Sequence, residues 1–261
     1  MPLSPFVETH EQFTFQPLRN RIFVNAVPKC GTMLLRNIIL MFVPWKQHYS
    51  PFVTAATPTH LKALGSEQHD FFTGHMNHTP VTSCLLKPFR HVLIIRDPYS
   101  YVLSYARFFY TKQLYETTKL GKFVQDHNLS FDEVVPYIIR GWSFEGESHP
   151  SVNNIFIHNA ISWFGPECKV VKYETLRQNV DNINSAESED YFSQLLGFLG
   201  IPLPSDWRQR VIAGANPNIS GTFSANLGID GNRRDHLSDA EKLLFSVVAP
   251  TLRAALGYDE A

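Results

Sequence analysis

The chain has 261 residues, 44% hydrophobic and 18% charged, enough apolar material for a substantial core and too much for a disordered chain. Lysine and arginine total 23 against 24 aspartates and glutamates, a balance that weighs against nucleic acid as the main partner and makes any anion site a local one. Three scattered cysteines, Cys30, Cys84 and Cys168, weigh against a disulfide framework and point to a reducing, cytoplasmic compartment. The first ten residues carry neither a basic region nor a long apolar run, so no signal peptide is expected. No stretch reaches the roughly 18 apolar residues that a transmembrane segment needs.

Residues 1–20 read as an extended lead-in. Ile22, Phe23 and Val24 predict a short buried strand, which Pro28 and Gly31 break. From Met33 the apolar residues Leu34, Ile38 and Met41 recur at helical spacing, up to Val43-Pro44. Strand, tight loop and helix together make an anion cradle. The first turn of a helix has N–H groups without intrahelical partners, and these carry partial positive charge. Gly31 lets the backbone approach an oxyanion, Thr32 can cap the helix or donate its hydroxyl, and Lys29 adds a mobile charge. A phosphate or sulfate group is expected here.

Further along, Pro51, Pro58 and Gly65 mark turns in a mixed segment, and residues 70–75, which include His75, read as a short strand ending in a turn. Residues 91–95 form the clearest strand, continuously apolar as in a parallel sheet covered on both faces. Arg96-Asp97-Pro98 follows, with Pro98 suited to the first position of a helix reaching Tyr110. Ser130 with Glu133 is a capping box opening a helix that Pro136 interrupts. Residues 155–164 read as a helix stopped by Gly165-Pro166, residues 169–173 as a strand, and residues 191–199 as a helix ending at Gly200. Ser238 with Glu241 opens a last helix, kinked at Pro250. The alternation predicts an α/β fold: a single three-layer domain over residues 1–261, with a mostly parallel central sheet and helices on both faces. Ligands in such sheets bind at the carboxyl ends of the strands, the edge expected to carry the Lys29 loop and Arg96.

The loop is not a Walker A motif, which needs Gly, four residues, Gly, Lys and Ser/Thr; here Lys29 precedes Gly31. Pro28-Lys29-Cys30-Gly31-Thr32 and the pair Arg96 and Ser104, eight residues apart, together resemble the sulfotransferase family, which uses 3′-phosphoadenosine 5′-phosphosulfate (PAPS). The resemblance implies that Lys29, Cys30, Gly31, Thr32 and Met33 hold the 5′-phosphosulfate, that Arg96 and Ser104 hold the 3′-phosphate, and that no metal is needed. It covers residues 20–110 well and 165–240 loosely. Met33-Leu34 stands where the family often has Thr-Trp, whose Trp stacks on adenine, and Cys30 stands where Ser is common.

His75 resembles the family's general base. A hydroxyl acceptor is a poor nucleophile near neutral pH, and a histidine can take its proton as the new bond forms. With His69 and His78 nearby, a surface or core-capping histidine and a metal ligand are the other readings, although no zinc-type ligand set accompanies them. Tyr173-Glu174 resembles the element whose tyrosine approaches the adenine; simple packing is the other reading of Tyr173. Gly228 to Gly231 resembles the family's C-terminal Gly-x-x-Gly segment, and Arg233 and Arg234 just beyond it either replace the basic residues that bind the 3′-phosphate there or form a solvated turn. The aromatic-rich residues 111–153 read as an acceptor lid or as ordinary core.

The implied activity is transfer of a sulfuryl group to a hydroxyl of a small-molecule, lipid or carbohydrate acceptor. Two rivals stand beside it. Cys30 and Arg36 have the spacing of a cysteine-dependent phosphatase, and a module that grips the nucleotide without catalysing transfer would share the same loop.

Overall fold

The computed structural model describes residues 5–54, 57–110, 119–144, 146–220 and 236–258. The chain forms two compact units, Met1–Ile95 with Ser162–Phe223, and Arg96–Ile161 with Ser224–Ala261. In chain order, the first unit holds α1 (Pro5–His10), β1 (Arg21–Ala26), α2 (Thr32–Leu40), β2 (Val53–Thr54), α3 (Pro58–Leu64), β3 (Phe71–His75), α4 (Pro80–Leu86) and β4 (Phe89–Ile95). The second holds α5 (Pro98–Tyr110), α6 (Lys119–Asp126), α7 (Phe131–Arg140), β5 (Trp142–Phe144), β6 (Glu147–His149) and α8 (Val152–Asn159). The first unit then adds β7 (Cys168–Lys172), α9 (Tyr173–Asp181), α10 (Ala186–Leu199), α11 (Trp207–Ala215) and α12 (Pro217–Ser220), and the second α13 (Asp239–Val248) and α14 (Leu252–Ala255).

The first unit is built on a parallel five-stranded sheet in the order β2-β3-β1-β4-β7, with helices around it. β1 lies in the interior, pairing Val24 with both Thr73 of β3 and Val92 of β4. Ile22 to Ala26 and His91 to Ile95 are all buried, which is why Ile22-Phe23-Val24 and Val92 to Ile95 read as continuous apolar runs and not as alternating ones. Leu35, Ile38 and Ile39 of α2 repeat at helical spacing and join Leu195, Leu196 and Leu199 of α10 in the core cluster with Ile22, Val24 and Ile94. The lead-in is not wholly extended: its start is helical, as α1. Arg210 of α11 ties the stretch after α1 down, donating to the carbonyls of Thr14 at 2.8 Å and Met41 at 2.7 Å while paired with Asp206 at 2.8 Å.

In the second unit, α7 packs against α5 and α13. Ser130 and Glu133 form the expected capping box, but α7 runs straight through Pro136. An interior proline costs about 3 kcal/mol. Five residues buried from this helix, Phe131, Val134, Val135, Ile138 and Ile139, outweigh that at roughly 1.5–3 kcal/mol each. Ser238 and Glu241 cap α13 as expected, and Pro250 does more than kink the last helix, since it separates α13 from α14. The antiparallel hairpin β5–β6 was not legible in the sequence. It is pinned to α5 by the Tyr105 hydroxyl, which donates to His149 Nε2 at 2.8 Å. No helix among the described residues is long and apolar enough to cross a membrane.

Candidate anion-binding and proton-transfer site

Beyond β1 the chain turns sharply, with the Cys30 N–H donating to the Val27 carbonyl at 3.2 Å. Lys29 has φ of 65° and Gly31 φ of 94°, so two residues of this short loop lie in the left-handed region. For a lysine that conformation costs roughly 1–2 kcal/mol, strain of the kind that collects at ligand-binding loops. α2 then begins with Gly31 as its N-cap, and Gly31 O accepts from the Leu35 N–H at 3.1 Å. Thr32 is the first residue of the helix and not its cap. No side chain caps α2, and Thr32 Oγ1 is buried without a hydrogen-bond partner among the described residues. An orphaned buried hydroxyl costs about 1–3 kcal/mol. An oxyanion at the mouth of α2 would satisfy it together with the first-turn amides. The loop therefore fits an oxyanion such as a phosphate or sulfate group.

Tyr173, the first residue of α9, meets this loop. A Cβ built on Gly31 would lie 2.3 Å from Tyr173 Cδ2 and 3.4 Å from Ile94 Cδ1, so the ring rests where only glycine leaves room. Of the two readings of Tyr173, packing is thus present in the structure.

His75 ends β3, beside β1. Its Nδ1 lies 2.8 Å from the Ala26 carbonyl, and because a carbonyl only accepts, Nδ1 carries the proton. In the neutral ring Nε2 then keeps its lone pair, the form a general base requires. Burial holds the pKa below the usual histidine value of 6.5, opposed by the Ala26 hydrogen bond. The ring is therefore neutral at pH 7. Phe52 packs against it with centroids 5.4 Å apart. His69 and His78 are engaged elsewhere, with Tyr49 and Trp163 respectively. Among the described residues no group of three or more His, Cys, Asp or Glu could hold a metal ion.

What fixes His75 is Asn25, a residue that sequence reasoning missed. The fully buried Asn25 Oδ1 accepts from the N–H groups of Ala26 at 3.0 Å and Met76 at 2.9 Å, and its Nδ2 donates to Met76 O at 3.2 Å. The same carbonyl accepts from Trp163 Nε1 at 2.8 Å. Asn25 therefore clamps the residue that holds the His75 proton to the residue that follows His75. Asn25→Ala is expected to lose about 1–3 kcal/mol of stability, because two buried N–H groups lose their acceptor. Urea denaturation measures the loss, and unchanged stability would remove Asn25 from this role.

In the second unit, Arg96 is the residue after β4, and Ser104 lies on α5, about two turns beyond it. α5 is opened by Asp97, whose Oδ1 accepts from the N–H groups of Tyr99 at 2.8 Å and Ser100 at 3.2 Å. Its Oδ2 pairs with Arg253 at 3.0 Å. Gly228, Arg233 and Arg234 lie outside the described residues, as do residues 111–118 and 145 of the expected lid. The phosphatase arrangement is not formed. The Cys30 thiol is completely buried, and Arg36 sits in the second turn of α2 with Nε donating to Asn37 Oδ1 at 3.1 Å.

Parallel sheet, surrounding helices and strand–loop–helix together give the chain the sulfotransferase fold. The mouse sulfotransferase SULT7A1 complexed with PAP is similar to it with a TM-score of 0.61 at 13% identity, over 97% of this chain and 92% of that one. The sulfotransferase domain from the curacin biosynthetic pathway aligns with a TM-score of 0.44 at 14% identity, over 94% of this chain and 100% of that one. No family model matches, and no curated protein sequence matches.

Proposed function

We propose that this protein is a sulfotransferase that moves a sulfuryl group from PAPS to a hydroxyl of a small-molecule, lipid or carbohydrate acceptor. The observation that carries this reading is the uncapped start of α2 with its orphaned Thr32 hydroxyl, one short turn from the Ala26 carbonyl that orients His75. When bound, PAPS supplies an activated sulfuryl group on its 5′-phosphate. The amides of Gly31 and Thr32, with the Thr32 hydroxyl, hold the 5′-phosphate oxygens. Lys29 places positive charge where negative charge builds on the leaving oxygen. Arg96 and Ser104 take the 3′-phosphate, Arg96 by bidentate bonds, with Gly228, Arg233 and Arg234 as a second grip, and Tyr173 approaches the adenine. His75 Nε2 accepts the proton of the acceptor hydroxyl. The Ala26 carbonyl, already bonded to Nδ1–H, stabilises the imidazolium that results. Positioning and charge placement, as in phosphoryl transfer, account for the catalysis.

A melting scan with adenosine 3′,5′-bisphosphate (PAP), using ADP as control, tests the nucleotide grip. At about 100 times its dissociation constant, PAP should add about 2.7 kcal/mol of stability. A protein that responds no better to PAP than to ADP is not a PAPS enzyme. Transfer of radiolabelled sulfate to a hydroxyl acceptor separates an enzyme from a module that only binds.

A further inference from the structure

Arg36 lies beside the proposed base and, among the described residues, has no counter-charge. Its guanidinium carbon stands 5.7 Å from the centre of the Phe52 ring, and that ring lies 5.4 Å from the ring of His75. One aromatic side chain thus contacts both the cation and the imidazole. Arg36 and Phe52 are each partly exposed, so a ligand can reach both. A guanidinium has five N–H donors. Here Nε is used locally, on Asn37 Oδ1, and among the described residues the four N–H bonds of Nη1 and Nη2 meet no protein acceptor and no carboxylate pairs with the group. Partial burial nevertheless strips water from it and lowers its pKa. The titratable neighbour it faces is His48, itself kept neutral, with a pKa pushed down to about 3 by burial and by the charge of Arg36. A partly desolvated cation with no opposite charge is costly, and proteins keep one where a ligand supplies the anion.

We propose that Arg36 is a specificity-determining residue that recognises an oxyanion, a carboxylate or phosphate, carried by the acceptor itself. This rests on the sulfotransferase reading, which puts the acceptor hydroxyl at His75 Nε2. The acceptor then lies along the Phe52 ring, with its hydroxyl at the imidazole and its anionic group at Nη1 and Nη2. The planar fork of arginine favours the two oxygens of a carboxylate. Lys29 and the loop amides belong to the cofactor phosphate, so Arg36 is left for the second substrate. The acceptor class narrows accordingly to hydroxy acids and hydroxyl-bearing phosphates.

The test uses the full chain saturated with PAP and two matched pairs of probes, 4-hydroxyphenylacetate with its amide and 3-hydroxybutyrate with its amide. Melting shifts across a titration give the affinities. The expected result is that at least one acid binds about tenfold more tightly than its amide, a difference of about 1.4 kcal/mol. Arg36→Gln should abolish that preference while leaving PAP affinity as it was. Arg36→Lys, which keeps the charge and the stem, should retain part of it. Equal affinity for acid and amide in the unaltered protein overturns the proposal, as does an Arg36→Gln protein whose PAP affinity falls as far as its affinity for the acid, since Arg36 would then serve the cofactor. Failure of PAP to outperform ADP is a separate outcome: it removes the sulfotransferase reading and this inference with it.

Discussion

His75→Ala is expected to lower kcat by about 10²–10⁴-fold, the range supplied by a positioned general base, and to leave PAP binding nearly intact. The two readouts divide because the His75 ring makes a single hydrogen bond, Nδ1 to Ala26 O, and none to the groups assigned to the 5′-phosphate. A purely structural histidine would behave differently. Loss of that bond costs about 1 kcal/mol of stability and little turnover. His75→Asn separates the cases: its amide N–H can still donate to Ala26 O, so stability returns, but no basic nitrogen remains and turnover does not. The pH dependence follows from the same burial. The neutral ring is the active form, and desolvation sets its pKa below 6.5. The acid limb of kcat/KM in the unaltered protein should therefore fall below pH 6.5, with activity lost as the pH drops through the lowered pKa, and it should vanish in the residual rate of His75→Ala. A fully active His75→Ala protein, or an acid limb centred above 6.5, removes His75 as the base.

The parts of this site that are local in sequence were legible before any coordinates. Ile22 to Val24 announce β1 because a strand covered on both faces is apolar at every position, and Pro28 with Gly31 announces the turn. The capping boxes at Ser130 and Ser238 need only a hydroxyl and a carboxylate three residues apart, and both formed. What escaped notice depends on residues far apart in the chain. Asn25 reads as a polar blemish in a strand; only the parallel register of β1 with β3 shows that it reaches Met76, 51 residues away. Arg36 stands out in the sequence only for its spacing from Cys30; its nearness to His75 depends on Phe52, whose ring packs against both side chains. Thr32 was expected either to cap α2 or to donate its hydroxyl; one residue of difference in the helix start makes it the first helical residue, so it does not cap, and its hydroxyl has no partner among the described residues. Pro136 misled for the opposite reason: a local signal was strong, and the burial of five neighbours was stronger.

Gly31→Ala is the second large effect, and it joins the loop's backbone to a side chain about 140 residues away in the sequence. At φ of 94° an alanine is strained by roughly 1–2 kcal/mol. Its methyl would also lie 2.3 Å from Tyr173 Cδ2, inside contact distance, so the loop or the ring must move. Tyr173 is poorly placed to yield, since it is the residue at which β7 becomes α9. A stability loss of about 2 kcal/mol or more is expected in urea. PAP affinity should fall at least about tenfold, because amides that must point at one phosphate lose their aim when the loop shifts. The double variant Gly31→Ala with Tyr173→Ala divides the effect into its two causes. Removing the ring relieves the contact but not the left-handed φ, so the stability of the double variant should exceed that expected from adding the single losses, the signature of residues in direct contact. Strict additivity would mean that Gly31 is required for its backbone angle alone. An unchanged PAP affinity in Gly31→Ala would mean that this loop does not bind the nucleotide.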